Sequence, residues 1–191
     1  MITRRALQQF AIATTAAMWA PVTRAKETPM SRPPAPSEAQ ILVHLRRANE
    51  VARKAVADGH HPFGAILVAS DHETVLMEQG NLNTVRHAEA ELARRAFDEF
   101  GPEALWSCTL YSTVEPCAMC SGTQYWANIG RLVYGIGERE LLAMTGAHEE
   151  NPTMDVPSRY VFEHSQKQID VIGPVDPLRE ELAALHRDFW K

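Results

Sequence analysis

Two short segments, well separated along the chain, carry the most restrictive pattern in this sequence. Residues 87–89 read His-Ala-Glu, and residues 116–120 read Pro-Cys-Ala-Met-Cys. His87, Cys117 and Cys120 are ligands of the kinds that zinc prefers, and a catalytic zinc site takes three protein ligands and keeps a fourth position for water. If these three side chains bind one ion, the chain must fold so that the two segments meet.

Both segments are predicted to begin helices. Pro116 suits the first position of a helix, where a missing N–H costs nothing. Cys117 and Cys120, three residues apart, then lie on the same side of that helix. Thr84 is the predicted cap of the other helix, which continues as an apolar stripe with a spacing of four. Because a helix start carries positive partial charge, it favours the thiolate form that binds metal.

Glu89 and Cys108 help to separate the alternatives for this motif. A Cys-x-x-Cys pair by itself is also typical of thiol oxidoreductases and of half a structural zinc site. A structural site usually has four protein ligands, but the remaining cysteine, Cys108, lies in an apolar run that predicts a buried thiol. A redox function of the two cysteines would not require His87 or Glu89, and a non-catalytic zinc protein would not need the Glu89 carboxylate. The pattern therefore favours a catalytic zinc centre in which Glu89 transfers protons.

Taken together, the two segments resemble the signature of the cytidine deaminase superfamily, His-x-Glu followed by Pro-Cys-x-x-Cys. The resemblance implies that His87, Cys117 and Cys120 bind Zn²⁺ and that Glu89 is the catalytic acid and base. It also implies hydrolytic deamination of a ring carbon with release of ammonia. A homodimer, with the partner chain close to the pocket, is a further implication.

Four substrate-binding residues follow from the same resemblance. The stretch His-Pro-Phe-Gly-Ala at 61–65 is similar to a family segment that lines the pocket, which makes Phe63 a candidate to stack on a flat base. Asn81 matches a substrate-binding asparagine of the family, although an ordinary turn residue is the alternative. Ala88 and Trp126 complete the set, and Trp126 is as compatible with a core position as with the pocket.

The identity of the substrate is expected to depend on segments outside the metal motif. Tyr-Trp-Ala at 125–127 is most similar to bacterial guanine deaminases, and tRNA adenosine deaminases share the metal motif. The expected substrate is a small purine or pyrimidine base or nucleoside, with guanine first and cytosine second. Deamination of adenosine in tRNA is the alternative. Residues 144–162 are predicted to form a loop and a short helix near the pocket mouth, where they would set substrate identity.

The first 25 residues differ from the rest of the chain. Two adjacent arginines precede a mildly apolar stretch, and Thr-Arg-Ala at 23–25 suits a cleavage site. This arrangement predicts a twin-arginine signal peptide over 1–25 and a periplasmic protein. Residues 26–36 are then a Pro-rich linker, and residues 37–191 form the deaminase domain.

The charge balance lowers the expectation of a nucleic-acid partner. Residues 1–25 carry three of the 19 basic residues and none of the 24 acidic ones, so the remainder has a net charge of −8. Nucleic-acid enzymes normally present a basic stripe, and none is visible in the sequence. We therefore expect a small-molecule substrate, and no membrane span in the chain that follows the signal peptide.

The order of the predicted elements indicates an α/β fold. A helix over 37–58, capped by Ser37, comes first, and a helix over 177–190 closes the domain. The first two strands should form an antiparallel hairpin and the others should be mainly parallel. Strands that alternate with helices predict a sheet covered on both faces, as in the three-layer α/β/α cytidine-deaminase-like fold with a five-stranded mixed sheet. The predicted strands are 65–69, 75–79, 108–113, 131–136 and 169–172.

Overall fold

The computed structural model describes residues 32–146, 148–149 and 151–190. The predicted signal peptide and residues 26–31 of the predicted linker lie outside this part of the chain. Within it, no helix combines the length and the apolar character that crossing a membrane requires.

Six helices and five strands make up the described chain. In chain order they are α1 (Glu38–Ala57), β1 (Gly64–Val68), β2 (Val75–Gly80), α2 (Ala88–Leu105), β3 (Thr109–Val114), α3 (Ala118–Ala127), β4 (Arg131–Ile136), α4 (Glu138–Thr145), α5 (Ser158–Glu163), β5 (Asp170–Ile172) and α6 (Arg179–Phe189). The strands form one sheet in the order β2-β1-β3-β4-β5. Strand β1 is antiparallel to β2 and β3, whereas β3, β4 and β5 are parallel. The predicted hairpin and the mixed sheet are therefore confirmed.

The residues of β1 show how the sheet separates two cores. Ala65 and Leu67 pack into a cluster that includes residues of α2 and α3. Ile66 and Val68, on the other side of the strand, pack into a cluster that includes residues of α1, α4 and α6. Because successive side chains of a strand point to opposite faces, this alternation places helices on both sides of the sheet and confirms the three-layer α/β/α fold.

Helix α1 begins where its sequence predicts. Ser37 is the N-cap, and its side chain accepts a hydrogen bond from the Gln40 N–H. The Gln40 side chain in turn accepts one from the Ser37 N–H, which completes a capping box. The helix lies so close to the sheet that a side chain at Gly64 would overlap the α1 backbone. This close approach fixes the start of β1, next to Phe63.

The described end of the predicted linker is bound to the domain. The Arg131 guanidinium donates hydrogen bonds to the carbonyls of Pro33 (2.8 Å) and Pro34 (3.1 Å). Its Nε pairs with Asp170 at 2.9 Å. Pro36 is buried. Residues 32–36 therefore follow the surface of the domain and are held there by a buried arginine.

Candidate metal centre and its cavity

The two helices of the metal motif both start at a candidate ligand. His87 is the N-cap of α2, and Cys117 is the N-cap of α3; both have the extended backbone typical of that position. Two local predictions are therefore wrong. Thr84 does not cap α2, and Pro116 precedes the N-cap of α3 instead of occupying the first helical position. Helix α3 begins at Ala118, two residues later than predicted, because Cys117 has the extended backbone of an N-cap.

The three candidate ligands converge. The Nδ1 atom of His87 lies 3.8 Å from the Cys117 sulfur and 3.6 Å from the Cys120 sulfur, and the two sulfurs are 3.7 Å apart. An ion at the usual zinc distances of about 2.0–2.3 Å, bound tetrahedrally, requires ligand atoms about 3.5–3.8 Å apart. The separation of the ligand atoms and their chemistry both fit zinc, with one tetrahedral position left for a fourth ligand.

Glu89 lies beside this triangle without being part of it. Its side chain is buried, with one oxygen accepting a hydrogen bond from the Ser112 hydroxyl at 2.7 Å. The other oxygen accepts from the Cys120 sulfur at 3.4 Å. Burial raises the pKa of Glu89, and the nearby His87 acts in the opposite direction. A buried carboxylate with a raised pKa is suited to take up and release a proton near neutral pH.

The thiols differ in their acidity. Hydrogen bonding with Cys120 and with His87 lowers the pKa of Cys117 to about 4, although burial acts against this. The hydrogen bond with Cys117 also raises the pKa of His87. By contrast, burial raises the pKa of Cys108 to about 11. Cys117 is therefore available as a thiolate, whereas Cys108 is an inert core thiol, as its apolar surroundings predict.

The cluster opens into two connected spaces. The inner cavity, about 30 Å³, is lined by Phe63, His87, Glu89, Glu115, Cys117, Glu138, Leu141 and Asn151. The outer cavity, about 450 Å³, shares part of this lining and is bounded further out by His61, Thr84, Met119, Glu149 and residues 151–154. The described residues between α4 and α5 contribute Glu149 and residues 151–154 to the outer cavity. Their position beside the metal ligands agrees with the prediction that this region forms a loop and short helix near the pocket mouth.

Phe63 provides a flat wall of the inner cavity. Its ring is nearly parallel to that of His87, with centroids 6.5 Å apart and an interplanar angle of 9°. The separation is about twice a carbon–carbon contact distance of ~3.5 Å. Phe63 is held from behind by the C-terminal helix, because His186 packs against it at 5.2 Å and Trp190 at 6.3 Å. Burial lowers the pKa of His186 to about 4.

Glu115 and Glu138, called here the carboxylate pair, were not predicted from the sequence. Glu115 ends the segment after β3. One of its oxygens accepts from the Glu138 N–H (3.1 Å), and the other accepts from the N–H and the hydroxyl of Ser158 (2.9 and 2.7 Å). It therefore joins the starts of α4 and α5. The sequence signals were the position of Glu115 immediately before Pro116 and that of Glu138 immediately after a strand.

The other predicted substrate-binding residues do not line these cavities. Asn81 is buried next to the Phe63 backbone, and its Oδ1 has no hydrogen-bond partner among the described residues. Ala88 is fully buried in the core. Trp126 is 78% exposed beside Phe97 and Thr123. It lies six residues after Cys120, so 3.6 residues per turn direct it away from the sulfurs. Within one chain, Ala88 and Trp126 therefore do not line the described cavities, and their assignment to the substrate stays a prediction.

Sequence comparison identifies the family. A family model described as the cytidine and deoxycytidylate deaminase zinc-binding region matches residues 39–136. This range contains β1 to β4 and all three candidate ligands. The chain therefore belongs to the cytidine and deoxycytidylate deaminase family.

Relatives that are named for different activities are similar to this chain. The chain is 33% identical to a probable cytosine deaminase of Schizosaccharomyces pombe over 159 residues, which cover 78% of this chain and 91% of the relative. It is 37% identical to a guanine deaminase of Bacillus subtilis over 95 residues, 47% of this chain and 60% of the relative. A solved structure from a study of A-to-I editing by tRNA:A34 deaminases is similar, with a TM-score of 0.52 and 29% identity. That match covers 69% of this chain and 96% of the other.

Proposed function

We propose that this protein is a zinc-dependent hydrolytic deaminase of a small purine or pyrimidine base, producing the corresponding carbonyl compound and ammonia. The observation that carries the proposal is the triangle of His87, Cys117 and Cys120, which has the dimensions of a tetrahedral zinc site, next to the buried Glu89 carboxylate. A thiol oxidoreductase would use only the two sulfurs, so it would not explain why His87 and Glu89 lie beside them.

The chain's own residues would divide the reaction between them. When bound, zinc supplies Lewis acidity that makes water more acidic and more reactive near neutral pH. Glu89 would accept a proton from the attacking water, deliver it to the adjacent ring nitrogen, and assist protonation of the departing amine. The Ser112 hydroxyl, hydrogen-bonded to Glu89, would hold that carboxylate in position. Phe63 and His87, whose parallel rings line the inner cavity, would orient the reacting edge of a flat heterocycle that extends into the outer cavity.

Cytosine and guanine are the first compounds to test. The match to the probable cytosine deaminase extends over 91% of that relative, and the shorter match to guanine deaminase has the higher identity. A cavity of about 450 Å³ has room for either base. Adenosine in tRNA is the alternative that the similar editing deaminase suggests, but the acidic charge balance of the chain disfavours it.

A homodimer and export are also part of the proposal. Trp126, Val85, Phe97 and Met119 expose apolar surface on or beside α2 and α3, and such surfaces commonly mark association sites. A second copy covering α3 would approach the outer cavity, because Met119 also lines that space. Light scattering should give a dimer, and Trp126→Glu should give a monomer.

For export, fractionation of cells should place the protein in the periplasm, and replacing both arginines at 4–5 should retain it inside.

The decisive experiment is an ammonia-release screen on zinc-loaded protein. Cytosine, guanine, adenine, their nucleosides and a tRNA anticodon stem-loop would be assayed, with zinc content measured on the same sample. We expect about one zinc per chain and ammonia from at least one free base. Ammonia release from the stem-loop alone would show that the substrate is RNA instead of a free base. A protein that contains no zinc and releases no ammonia would refute the proposed function.

A further inference from the structure

Glu138 is a buried acid that lines the cavity, and its carboxylate has no hydrogen-bond partner in the described part of the chain. It is the first residue of α4, is 4% exposed, and lines both the inner and the outer cavity. Its backbone N–H is bound to Glu115. Among the described residues, however, no group forms a hydrogen bond or ion pair with the Glu138 carboxylate. The residue is therefore held in place through its backbone N–H, while its side chain lines the space that a ligand would occupy.

This arrangement contrasts with that of the neighbouring acids. Glu115 has three hydrogen bonds, and Glu89 is bonded to Ser112 and Cys120. A buried carboxylate is costly unless hydrogen-bond donors surround it. Burial, and then the proximity of Cys117 and Glu89, raise the pKa of Glu138 to about 8, whereas a hydrogen bond from a ligand N–H and the position at a helix start both favour the carboxylate form. A bound molecule with an N–H group would supply the missing donor.

The cavity also lacks positive charge that could hold a phosphate. Among the described lining residues of both spaces there is no lysine or arginine, whereas Glu89, Glu115, Glu138 and Glu149 contribute four acidic groups. Proteins that bind phosphate normally use arginine, lysine or a cluster of backbone N–H groups. The lining therefore disfavours nucleotides and nucleic acid and suits an uncharged heterocycle.

We infer that Glu138 is a specificity-determining residue that accepts a hydrogen bond from a ring N–H present in a free base and absent in its nucleoside. This inference rests on the deaminase function proposed above. Free cytosine carries such a group at N1 and free guanine at N9, and in both nucleosides that nitrogen is bonded to the sugar. A nucleoside therefore leaves the carboxylate unpaired in a buried site, which is a strong basis for rejection.

A graded series of variants tests this role. Glu138→Gln removes the charge and keeps an acceptor oxygen, and Glu138→Leu removes both. We expect kcat/KM for the free base to fall about 10-fold in the first variant and about 100-fold in the second, mainly through KM. The nucleoside values should change little, so the base-to-nucleoside ratio, at least about 100 in the unmodified protein, should shrink in the same order.

Glu140→Gln is the matched control. Glu140 belongs to the same first turn of α4, but its carboxylate pairs with Arg179 on the surface at 2.6 Å. This variant removes an equal charge from the same helix start and should leave the base-to-nucleoside ratio unchanged. Zinc content and thermal stability, measured on every variant, would show whether a loss of activity reflects a damaged fold. An equal loss of base and nucleoside activity in Glu138→Gln and Glu138→Leu would overturn the inference.

Equilibrium binding separates this inference from the proposed reaction. Titration calorimetry of cytosine, guanine, their nucleosides and their 5′-monophosphates would be performed on the same proteins. Base binding that weakens in the Glu138 series, with no ammonia released, would refute the deaminase function and keep the recognition role. Tighter binding of nucleosides or monophosphates than of the bases, or no binding of any base, would refute the recognition role.

Discussion

The metal cluster and the carboxylate pair lie in the same cavity but are built in different ways. The cluster comes from two helix starts, where His87 and Cys117 are N-caps and Cys120 is within the first turn. The pair comes from the end of a strand and the start of α4, and it is joined to α5 through Ser158. Local spacing therefore brings together only Cys117 and Cys120. His87 joins them, and Glu115 joins Glu138, through the packing of elements that are distant along the chain.

The two sets also differ in their electrostatics. Two thiols and an imidazole have the charge and geometry that a divalent cation neutralises. The carboxylate pair has no cation near it among the described lining residues, so Glu115 is stabilised by backbone N–H groups and Glu138 is left for a ligand. The metal cluster would therefore define the reaction, and the carboxylate pair would define the substrate. Substitutions in the cluster should affect metal content and turnover, whereas substitutions in the pair should affect substrate binding.

The largest effect is expected from removing a sulfur of the cluster. Cys117→Ala leaves two ligands, which is too few for a tetrahedral protein site. We expect loss of zinc, loss of detectable turnover, and a fall in Tm of at least about 5 °C, because metal binding stabilises the folded state. Metal analysis and calorimetry would check this. Cys108→Ala is the control, since that buried thiol is outside the cluster and its variant should keep zinc; an unchanged Tm in Cys117→Ala would contradict the assignment.

Glu89→Gln should separate proton transfer from metal binding. The amide has the shape of the carboxylate but is a far weaker base, so kcat should fall by about 10²- to 10⁴-fold while zinc is retained. Ser112→Ala, which removes the hydrogen bond to Glu89, should give a smaller loss in kcat. The role of Glu89 would have to be abandoned if its variant lost zinc, or if it turned over at the normal rate.

Glu115→Gln should weaken the hydrogen bonding that positions the starts of α4 and α5 around Glu138, without affecting zinc binding by the cluster. Both oxygens of Glu115 accept hydrogen bonds, and an amide has only one acceptor oxygen. One backbone donor, at Glu138 or Ser158, is then left unpaired at a cost of about 1–3 kcal/mol. We expect a lower free energy of unfolding in urea, normal zinc content and a KM that rises more than kcat falls. Glu163→Gln on the exposed side of α5 should change none of these.

The effect with the smallest consequence for activity concerns acid stability. Burial lowers the pKa of His186 to about 4, below its ordinary value of 6.5. The unfolded chain therefore binds a proton that the folded chain excludes, and stability is complete above pH 6.5 and declines as the pH falls from 6.5 towards 4. This contribution amounts to about 3 kcal/mol at most.

A variant can isolate this acid sensitivity. The Nδ1 atom of His186 accepts a hydrogen bond from the Trp190 indole at 3.4 Å, which the protonated ring could not do. His186→Leu should flatten the dependence of the unfolding free energy on pH between 4 and 6.5, whereas His164→Leu at an exposed position should not. Parallel pH profiles for His186→Leu and the unmodified protein would show that another group is responsible.

The metal motif and most of the fold could be predicted because both depend on local regularities. The Ser37 cap, the β4 boundaries and the alternating β1 residues follow from patterns a few residues long. Thr84 lies three residues before the observed N-cap His87, and Pro116 lies two residues before the first helical residue, Ala118. These starts were not predicted because the exact start of a helix depends on which residue adopts the extended cap conformation. The placement of Trp126 at the substrate stays a prediction, because its side chain is exposed on α3 in the single chain.

The sequence by itself determined which atoms are available for a metal, that two helices begin at them, and that a covered five-stranded sheet lies behind them. Only the tertiary structure decided that Ser112 supports Glu89, that His186 and Trp190 support Phe63, and that Glu115 anchors Glu138. These contacts join residues separated by 23 to more than 100 positions. No short spacing encodes such contacts, because they arise from the order β2-β1-β3-β4-β5 in the sheet and from the packing of the C-terminal helix against it.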